Sequence, residues 1–441
     1  MTSSRLILTR TKTRLSMFFT PRQPIGHWLM VILLVSVIGC QNNKSIKQST
    51  SAVRDYFDGD FARAMQKLQN LAQTTDENYV LNNLRLGSVA LTSYELNESE
   101  NAFLRAWEVI NAGGVNSGAR SVAAVWIDEK LKIWKGEPYE RALASFYLGL
   151  VYYIQRDYNN ARAAFENALF KLRDYADPEK KSNDYTEQES TFVLAHLMLG
   201  RTYLRLGRDD LARESFEKAR QLQPRLARLA EPSVHTDSNV LLVVDFGYGP
   251  KKVTDYDGTI VGFAPTPESA GRLPTPRVIV DGQDYPLGSL GEPTIDTLVM
   301  ALDRRWQSID TIRTVKTTVG TGLIAAGAGY GVYKGAKGNF DVQDAAIVAG
   351  LIATGAILKA TSQADTRQWE MVPRTVYLLP LRLPPGRHDI TVQFPEMSHL
   401  QQQWMGLVAS DREEYTYYMR MNRWWPGPWY WPPKTFSTAE P

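Results

Sequence analysis

Two stretches of this chain carry the same order of large and small residues, and that order leaves few folds open. In "ASFYLGLVYYIQRDYNNARAAFENAL" the key positions are Leu148, Gly149, Tyr152, Tyr158, Ala161, Phe165 and Ala168. In "AHLMLGRTYLRLGRDDLARESFEKARQLQP" they return as Leu199, Gly200, Tyr203, Gly207, Ala212, Phe216, Ala219 and Pro224. Each stretch holds two apolar runs of helical spacing broken by a polar turn, so each predicts a pair of antiparallel helices. Gly149 with Ala161, and Gly200 with Ala212, let the two helices of a pair approach closely. The large residues fill the gaps between pairs. Such a pair buries little alone and must stack on copies of itself, which predicts a curved solenoid.

The pattern resembles the tetratricopeptide repeat position by position. Two weaker copies come earlier. "LNNLRLGSVALTSYELNESENAFLRAW" keeps Leu86, Gly87, Phe103 and Ala106, with Ser99 at the usual alanine, and "FDGDFARAMQKLQNLA" reads as a second helix with Gly59, Phe61, Ala64, Leu68 and Leu71. The spacing is uneven, with a charged insert "RDYADPEKKSNDYTEQES" and a longer stretch from 113 to 141 between copies. An all-α repeat domain is therefore expected over residues 48–230. Counted from the strong copies, its inward positions are Leu143, Phe146, Leu150, Tyr153, Leu194, Leu197, Arg201, Leu204 and Arg205. A groove rich in Leu, Phe and Tyr suits an apolar peptide of a partner protein, or the chain's own second half.

At the amino terminus Arg5, Arg10, Lys12, Arg14 and Arg22, with no acid among them, precede "WLMVILLVSVIG". That is the basic and apolar order of a secretory signal, and the run is shorter than the roughly 20 residues a spanning helix needs. Val37-Ile38-Gly39-Cys40 resembles the lipobox of bacterial lipoproteins. By that resemblance residues 1–39 are a signal peptide, Cys40 becomes the lipidated first residue, and residues 40–47 form a tether. Cys40 is the only cysteine, so no disulfide competes for it. Gln41 rather than aspartate follows it, which resembles cargo of the Gram-negative outer membrane facing the periplasm. Removing five positive charges turns the net +3 into −2, so no basic stripe remains to neutralise phosphates and nucleic acid is not an expected partner.

After a polar stretch "RLARLAEPSVHTDS", read as a linker, residues 239–441 change to strand patterns. "NVLLVVDFGY" is a continuous apolar strand, "RVIVDGQDYPL" a hairpin turning at Asp281-Gly282, and "RTVYLLPLRLPPGRHDITVQF" a second hairpin around Pro384-Pro385-Gly386. "YTYYMRM" is a late strand, and the tail "WWPGPWYWPP" either packs on the sheet or lies at lipid headgroups. A helical insert is expected at about 294–362. Within it Gly327, Gly331 and Gly335 are spaced by four, so another helix can lie close along that face, with Ala349, Ala353 and Ala356 as its small-residue counterpart. No lysine follows a glycine and precedes Ser or Thr there, so a phosphate loop is excluded.

Two short motifs, Gly136, Glu137, Tyr139, Glu140 and Arg141, then Ala364, Asp365, Thr366, Arg367 and Trp369, resemble those of a family of bacterial tetratricopeptide lipoproteins without an assigned activity. The resemblance implies an envelope lipoprotein with a repeat domain and a β-domain. Asp365, Arg367 and Trp369 are thereby candidates for a structural or ligand-holding motif. Pro138 fits the first turn of a helix, and Glu137 and Glu140 favour its positive end.

The catalytic vocabulary is thin. His196, His235, His388 and His399 show no metal-ligand spacing, and no nucleophile-elbow motif occurs. The one Ser-x-x-Lys, Ser215 to Lys218, sits among repeat residues. Neither an enzyme nor a cofactor is expected. The chain reads as an α+β multidomain protein: an all-α, tetratricopeptide-like solenoid, then a small β-sandwich or barrel-like domain with a Gly/Ala-rich helical insert. The expected function is a lipid-anchored envelope scaffold that binds a partner protein or peptide through its groove. The alternative is a self-assembling or membrane-inserting structural lipoprotein that uses the glycine-rich hairpin.

Overall fold

The computed structural model describes residues 45–112, 133–172, 190–255, 260–266, 271–303, 366–397, 400–422 and 428–432. The chain from Ser49 onward forms one compact unit, and the features below lie in it. Gly327, Gly331, Gly335, Ala349, Ala353, Ala356, Asp365 and His399 fall outside the described residues, as does the segment around Cys40.

The helices come in antiparallel pairs. A helix ending at residue 58 (α1) is tied to α2 (Phe61–Gln73) by Lys67 on Ser51 and Asp55. α3 (Tyr79–Thr92) pairs with α4 (Leu96–Asn111), α5 (Pro138–Ile154) with α6 (Tyr158–Phe170), and α7 (Val193–Arg205) with α8 (Asp209–Leu222). A short helix, α9 (Pro232–Asp237), follows. Each pair turns on one residue in the left-handed region: Gly59 (φ 84°), Tyr94 (62°), Arg156 (67°) and Gly207 (68°). Glycine adopts that conformation freely, whereas Tyr94 and Arg156 pay about 1–2 kcal/mol for it. Asp60 and Asp157 then start α2 and α6 by accepting from the backbone N–H three residues on, the usual way an N-cap satisfies an orphan donor.

The repeat glycines set the closeness of the pairs. A Cβ on Gly87 would lie 2.8 Å from the Phe103 ring, one on Gly149 2.7 Å from Phe165, and one on Gly200 2.7 Å from Phe216. The same contact thus recurs in three consecutive pairs. Gly149→Ala is therefore expected to destabilise the protein by about 1–3 kcal/mol from overpacking, although alanine favours a helix by about 1 kcal/mol over glycine. Adding Phe165→Leu should recover part of the loss in urea unfolding. An unchanged midpoint for Gly149→Ala would mean that the pair can separate freely.

The second half holds two facing sheets. β1 (Val240–Phe246) lies between β6 (Thr375–Leu381), antiparallel, and β9 (Tyr415–Met421), parallel. The other sheet runs β10 (Trp429–Tyr430), β8 (Gln401–Ala409), β7 (Gly386–Gln393), β4 (Arg277–Val280), β5 (Gln283–Tyr285). β2 (Lys251–Asp255) and β3 (Ile260–Ala264) form a separate hairpin, and α10 (Thr297–Leu302) lies at the start of the expected insert. Asp281 and Gly282, both at positive φ, close the β4–β5 turn, as the Asp-Gly pair predicts.

The expected hairpin around Pro384-Pro385-Gly386 is corrected: β6 and β7 belong to different sheets, and the prolines carry the chain from one to the other. The burial patterns explain it. β6 is buried at every position, while β7 alternates between buried and open. A strand covered on both faces belongs between two layers, not beside a half-exposed one. Pro380 in β6 is tolerated because β6 is an edge.

Burial on both faces also explains the continuous apolar run of β1. Val240, Leu242, Val244 and Phe246 join Tyr377, Leu379, Tyr417 and Met419 in a core against the five-stranded sheet. Leu241 and Val243 join Val376, Leu378 and Tyr418 in the core of the helical repeats. The three-stranded sheet is thus the middle layer, with the solenoid on one side and the larger sheet on the other. The stretch read as a polar linker is a second correction: Leu226, Leu229 and His235 are buried there, and α9 packs on α8. Among the described residues no helix is long and apolar enough to cross a membrane.

Candidate functional site

The inner helices of the solenoid meet the chain's own second half through three polar groups. The first lies on α3 and α5. Residues 366–369 are in neither helix nor strand, and side chains hold them. The Arg367 carbonyl accepts from Trp134 Nε1 (3.1 Å) and from Lys252 Nζ (2.7 Å). The Trp369 N–H donates to Glu140 Oε1 (2.7 Å). The Trp369 ring stands edge-on to Phe103 and Tyr147, and its indole N–H donates to Ser88 Oγ (3.1 Å). Glu370 accepts both arms of Arg85, at 2.9 and 2.6 Å. Arg367 itself donates to the Glu77 carbonyl at 2.7 Å.

Glu140 shows how the start of α5 builds this group. Pro138 occupies the first turn, and Glu140 Oε2 accepts from the Glu137 N–H at 2.7 Å, the backward half of a capping box. Its other oxygen is left for Trp369. Burial pushes the Glu140 carboxyl up to about 7, against the opposing pull of Lys252.

The second group lies at the middle of the inner face. Asp245 of β1 accepts from Tyr147 of α5 (2.6 Å) and from Tyr418 of β9 (2.7 Å). Arg420 is its neighbour across the parallel ladder. Burial raises the Asp245 carboxyl to about 6, with Arg420 opposing, and burial also raises both tyrosines. In the third group Glu414 accepts from Arg201, Arg205 and Tyr153 (3.0 Å). Arg201 also meets His235 Nδ1. Since His235 Nε2 donates to the Leu229 carbonyl at 2.6 Å, Nδ1 is the acceptor. Burial, with Arg201 beside it, keeps that ring neutral.

The expected groove residues divide accordingly. Tyr153, Arg201 and Arg205 converge on Glu414. Phe146 faces Phe165 and Phe192 instead, so its ring sits between successive pairs. Leu143, Leu150, Leu194 and Leu197 are buried in the repeat core, with Leu204 partly buried against it. Of the second motif, Arg367 and Trp369 meet on the inner face, while Asp365 lies outside the described residues. Among the described residues no three His, Cys, Asp or Glu side chains are grouped to hold a metal ion. What the three groups do chemically is hold surfaces together.

Several contributors were not found in the sequence. Tyr94 inserts its ring between Trp404 (5.5 Å) and Trp431 (5.1 Å), and its hydroxyl donates to the Tyr418 carbonyl and accepts from the Tyr418 N–H. Arg156 pairs with Glu413 and lies over the Tyr415 ring. These two are the non-glycine residues at the left-handed turns. Aligning the four turns would have exposed them, because strain kept at a turn points to a job for the side chain.

A tetratricopeptide-repeat family model matches residues 193–226, which are α7, α8 and the turn after them. The chain therefore contains a tetratricopeptide repeat. No curated protein sequence matches it. Among solved structures, one of the MamA protein is 18% identical over 44% of this chain and 80% of its own, with a TM-score of 0.29. Another, MamA AMB-1, is 16% identical over 43% and 78%, with a TM-score of 0.28.

Proposed function

We propose that the protein is a lipid-anchored scaffold of the bacterial envelope, tethered through Cys40 at the outer membrane and facing the periplasm, which recruits a partner protein through the inner face of its repeats. The observation that supports this reading is the grip on residues 367–370. A segment in neither helix nor strand is held there by side chains that bond its backbone and seat its aromatic ring, as a bound peptide is held. The alternative noted from the sequence, that the chain's own second half occupies the groove, fits Glu414 and Trp369. Recruitment then involves the same face, in competition with the resident segment. No catalytic step and no cofactor belong to this reading.

The test is cross-linking in living bacteria, followed by purification of the tagged full chain and mass spectrometry. Wild type is compared with Cys40→Ser and Arg85→Glu. Cys40→Ser should leave the membrane fraction, and an envelope protein captured by wild type should be captured to a different extent by Arg85→Glu. Recovery of this chain alone would favour the self-assembling structural lipoprotein instead.

A further inference from the structure

We propose that the surface of α3 and α5 around Arg85, Ser88 and Glu140 is a recognition site for a peptide carrying tryptophan followed by a carboxylate, and that residues 367–370 are its resident ligand. The inference deepens the scaffold reading by naming the chemistry that the inner face takes.

Three features separate this contact from ordinary core packing. The backbone of residues 367–370 joins neither sheet, so its departure breaks no ladder hydrogen bond. Two of its polar backbone groups are met by side chains, the Arg367 carbonyl by Trp134 and Lys252 and the Trp369 N–H by Glu140, while the Trp369 carbonyl accepts from the Val372 N–H at 3.3 Å. Most buried backbone groups pair with other backbone, whereas side chains that hold a backbone can hold that of any peptide. The second feature is the anchor. Trp369 is 3% exposed, with Phe103 and Tyr147 at its edges, and Ser88 is held in place by its own bond to the Leu84 carbonyl (2.8 Å). Large aromatic side chains in desolvated recesses are the typical hot spots of recognition.

The third feature is the charge. Arg85 is pre-set for a carboxylate, because its remaining nitrogen is tied to Ser49 (2.5 Å) and Asn82 (3.2 Å), which leaves Nε and one terminal nitrogen aimed together at Glu370. A bidentate arginine adds specificity beyond its charge. The Arg85 side chain is nearly buried and that of Glu370 partly exposed, so the pair adds little to stability and more to orientation. The order tryptophan-then-acid is thus read by two separate devices on one helix, Ser88 and Arg85, three residues apart in α3 and so on one face.

The test uses the full chain and a dye-labelled peptide of residues 366–372, TRQWEMV, by fluorescence anisotropy. Controls are TRQAEMV and TRQWKMV. In the Glu370→Lys protein the resident segment is repelled by Arg85, and TRQWEMV should bind about tenfold or more tightly than to wild type, a difference of about 1.4 kcal/mol. Both control peptides should bind weakly. Arg85→Glu should reverse the preference towards TRQWKMV. Should Glu370→Lys not fold, Glu370→Gln keeps the shape and carries the same expectation. A folded variant that fails to bind TRQWEMV, or that binds the controls equally well, overturns the proposal. Cellular capture of a partner alongside failed peptide binding would move recruitment to another surface. Peptide binding with no captured partner would leave the site standing and remove the scaffold.

Discussion

Glu414→Ala should lower the unfolding free energy by about 3–5 kcal/mol, the cost of stranding a buried charge. The Glu414 side chain is 2% exposed and that of Arg201 1%. With the carboxylate gone, Arg201 keeps only neutral acceptors, His235 Nδ1 and Ser238 Oγ at 3.5 Å. Arg205 and Tyr153 lose their acceptor as well. Glu414→Gln should cost less, about 1.5–3 kcal/mol, because it preserves shape and removes only the charge assistance. The decisive comparison is Glu414→Ala with Arg201→Met, whose losses should be far from additive, since a hydrophobic replacement of both members removes the stranded charge. Urea unfolding of the four proteins measures this. Losses that add within about 0.5 kcal/mol would show the two residues to be independent.

How much of this was legible follows from the kind of signal each element leaves. The helix pairs could be read because their contacts are local: Gly149 and Phe165 lie sixteen positions apart, and the same spacing returns at Gly87 with Phe103 and at Gly200 with Phe216. The Asp281-Gly282 turn could be read for the same reason. Strand partners could not. β1 is parallel to β9, with partners such as Val240 and Tyr415 lying 175 residues apart, and no spacing in one sequence records such a pairing. The misread hairpin at residues 375–393 arose from taking neighbours in sequence as neighbours in space. The signal against it was present, since "YLLPL" is continuous and "HDITVQF" alternates.

The site was half legible. Repeat spacing places Arg201, Arg205 and Tyr153 on the inner face, yet their common partner Glu414 lies 213 positions beyond Arg201 and cannot be paired with them from one sequence. Phe146 and Leu150 read as groove residues because one helix face carries both the stripe that packs between pairs and the stripe that faces inward, and the two differ by a fraction of a turn. Asp245 and Arg420 could have been suspected. A single charge in "LLVVDF" and another in "YTYYMRM" must find partners if those strands are buried. Arg367 and Trp369 are marked by the motif resemblance alone, and nothing in the sequence marks Glu370 beside them or pairs it with Arg85.

Trp404 carries the second large effect. It is 1% exposed in β8, and Tyr94, Trp429 and Trp431 surround it at 5.5, 5.1 and 6.1 Å. Replacing it with alanine removes the ring on which the solenoid turn and the tail both rest, and should cost about 3–5 kcal/mol. β10 contributes only two paired residues, Trp429 opposite Trp404 and Tyr430 opposite Met405. Two ladder positions cannot hold a segment without side-chain packing, so the tail should become open to protease at concentrations that leave wild type intact. Trp404→Phe separates volume from polarity. The indole Nε1 has no hydrogen-bond partner among the described residues, and a buried donor left unpaired costs about 1–3 kcal/mol. Phenylalanine removes that donor while keeping most of the ring contact, so its loss should fall well below that of alanine and the tail should stay protected. Equal losses for the two variants would mean that the stability at this corner comes from elsewhere. The remaining source would then be the hydroxyl of Tyr94 on the backbone of Tyr418, which Tyr94→Phe removes without disturbing the rings.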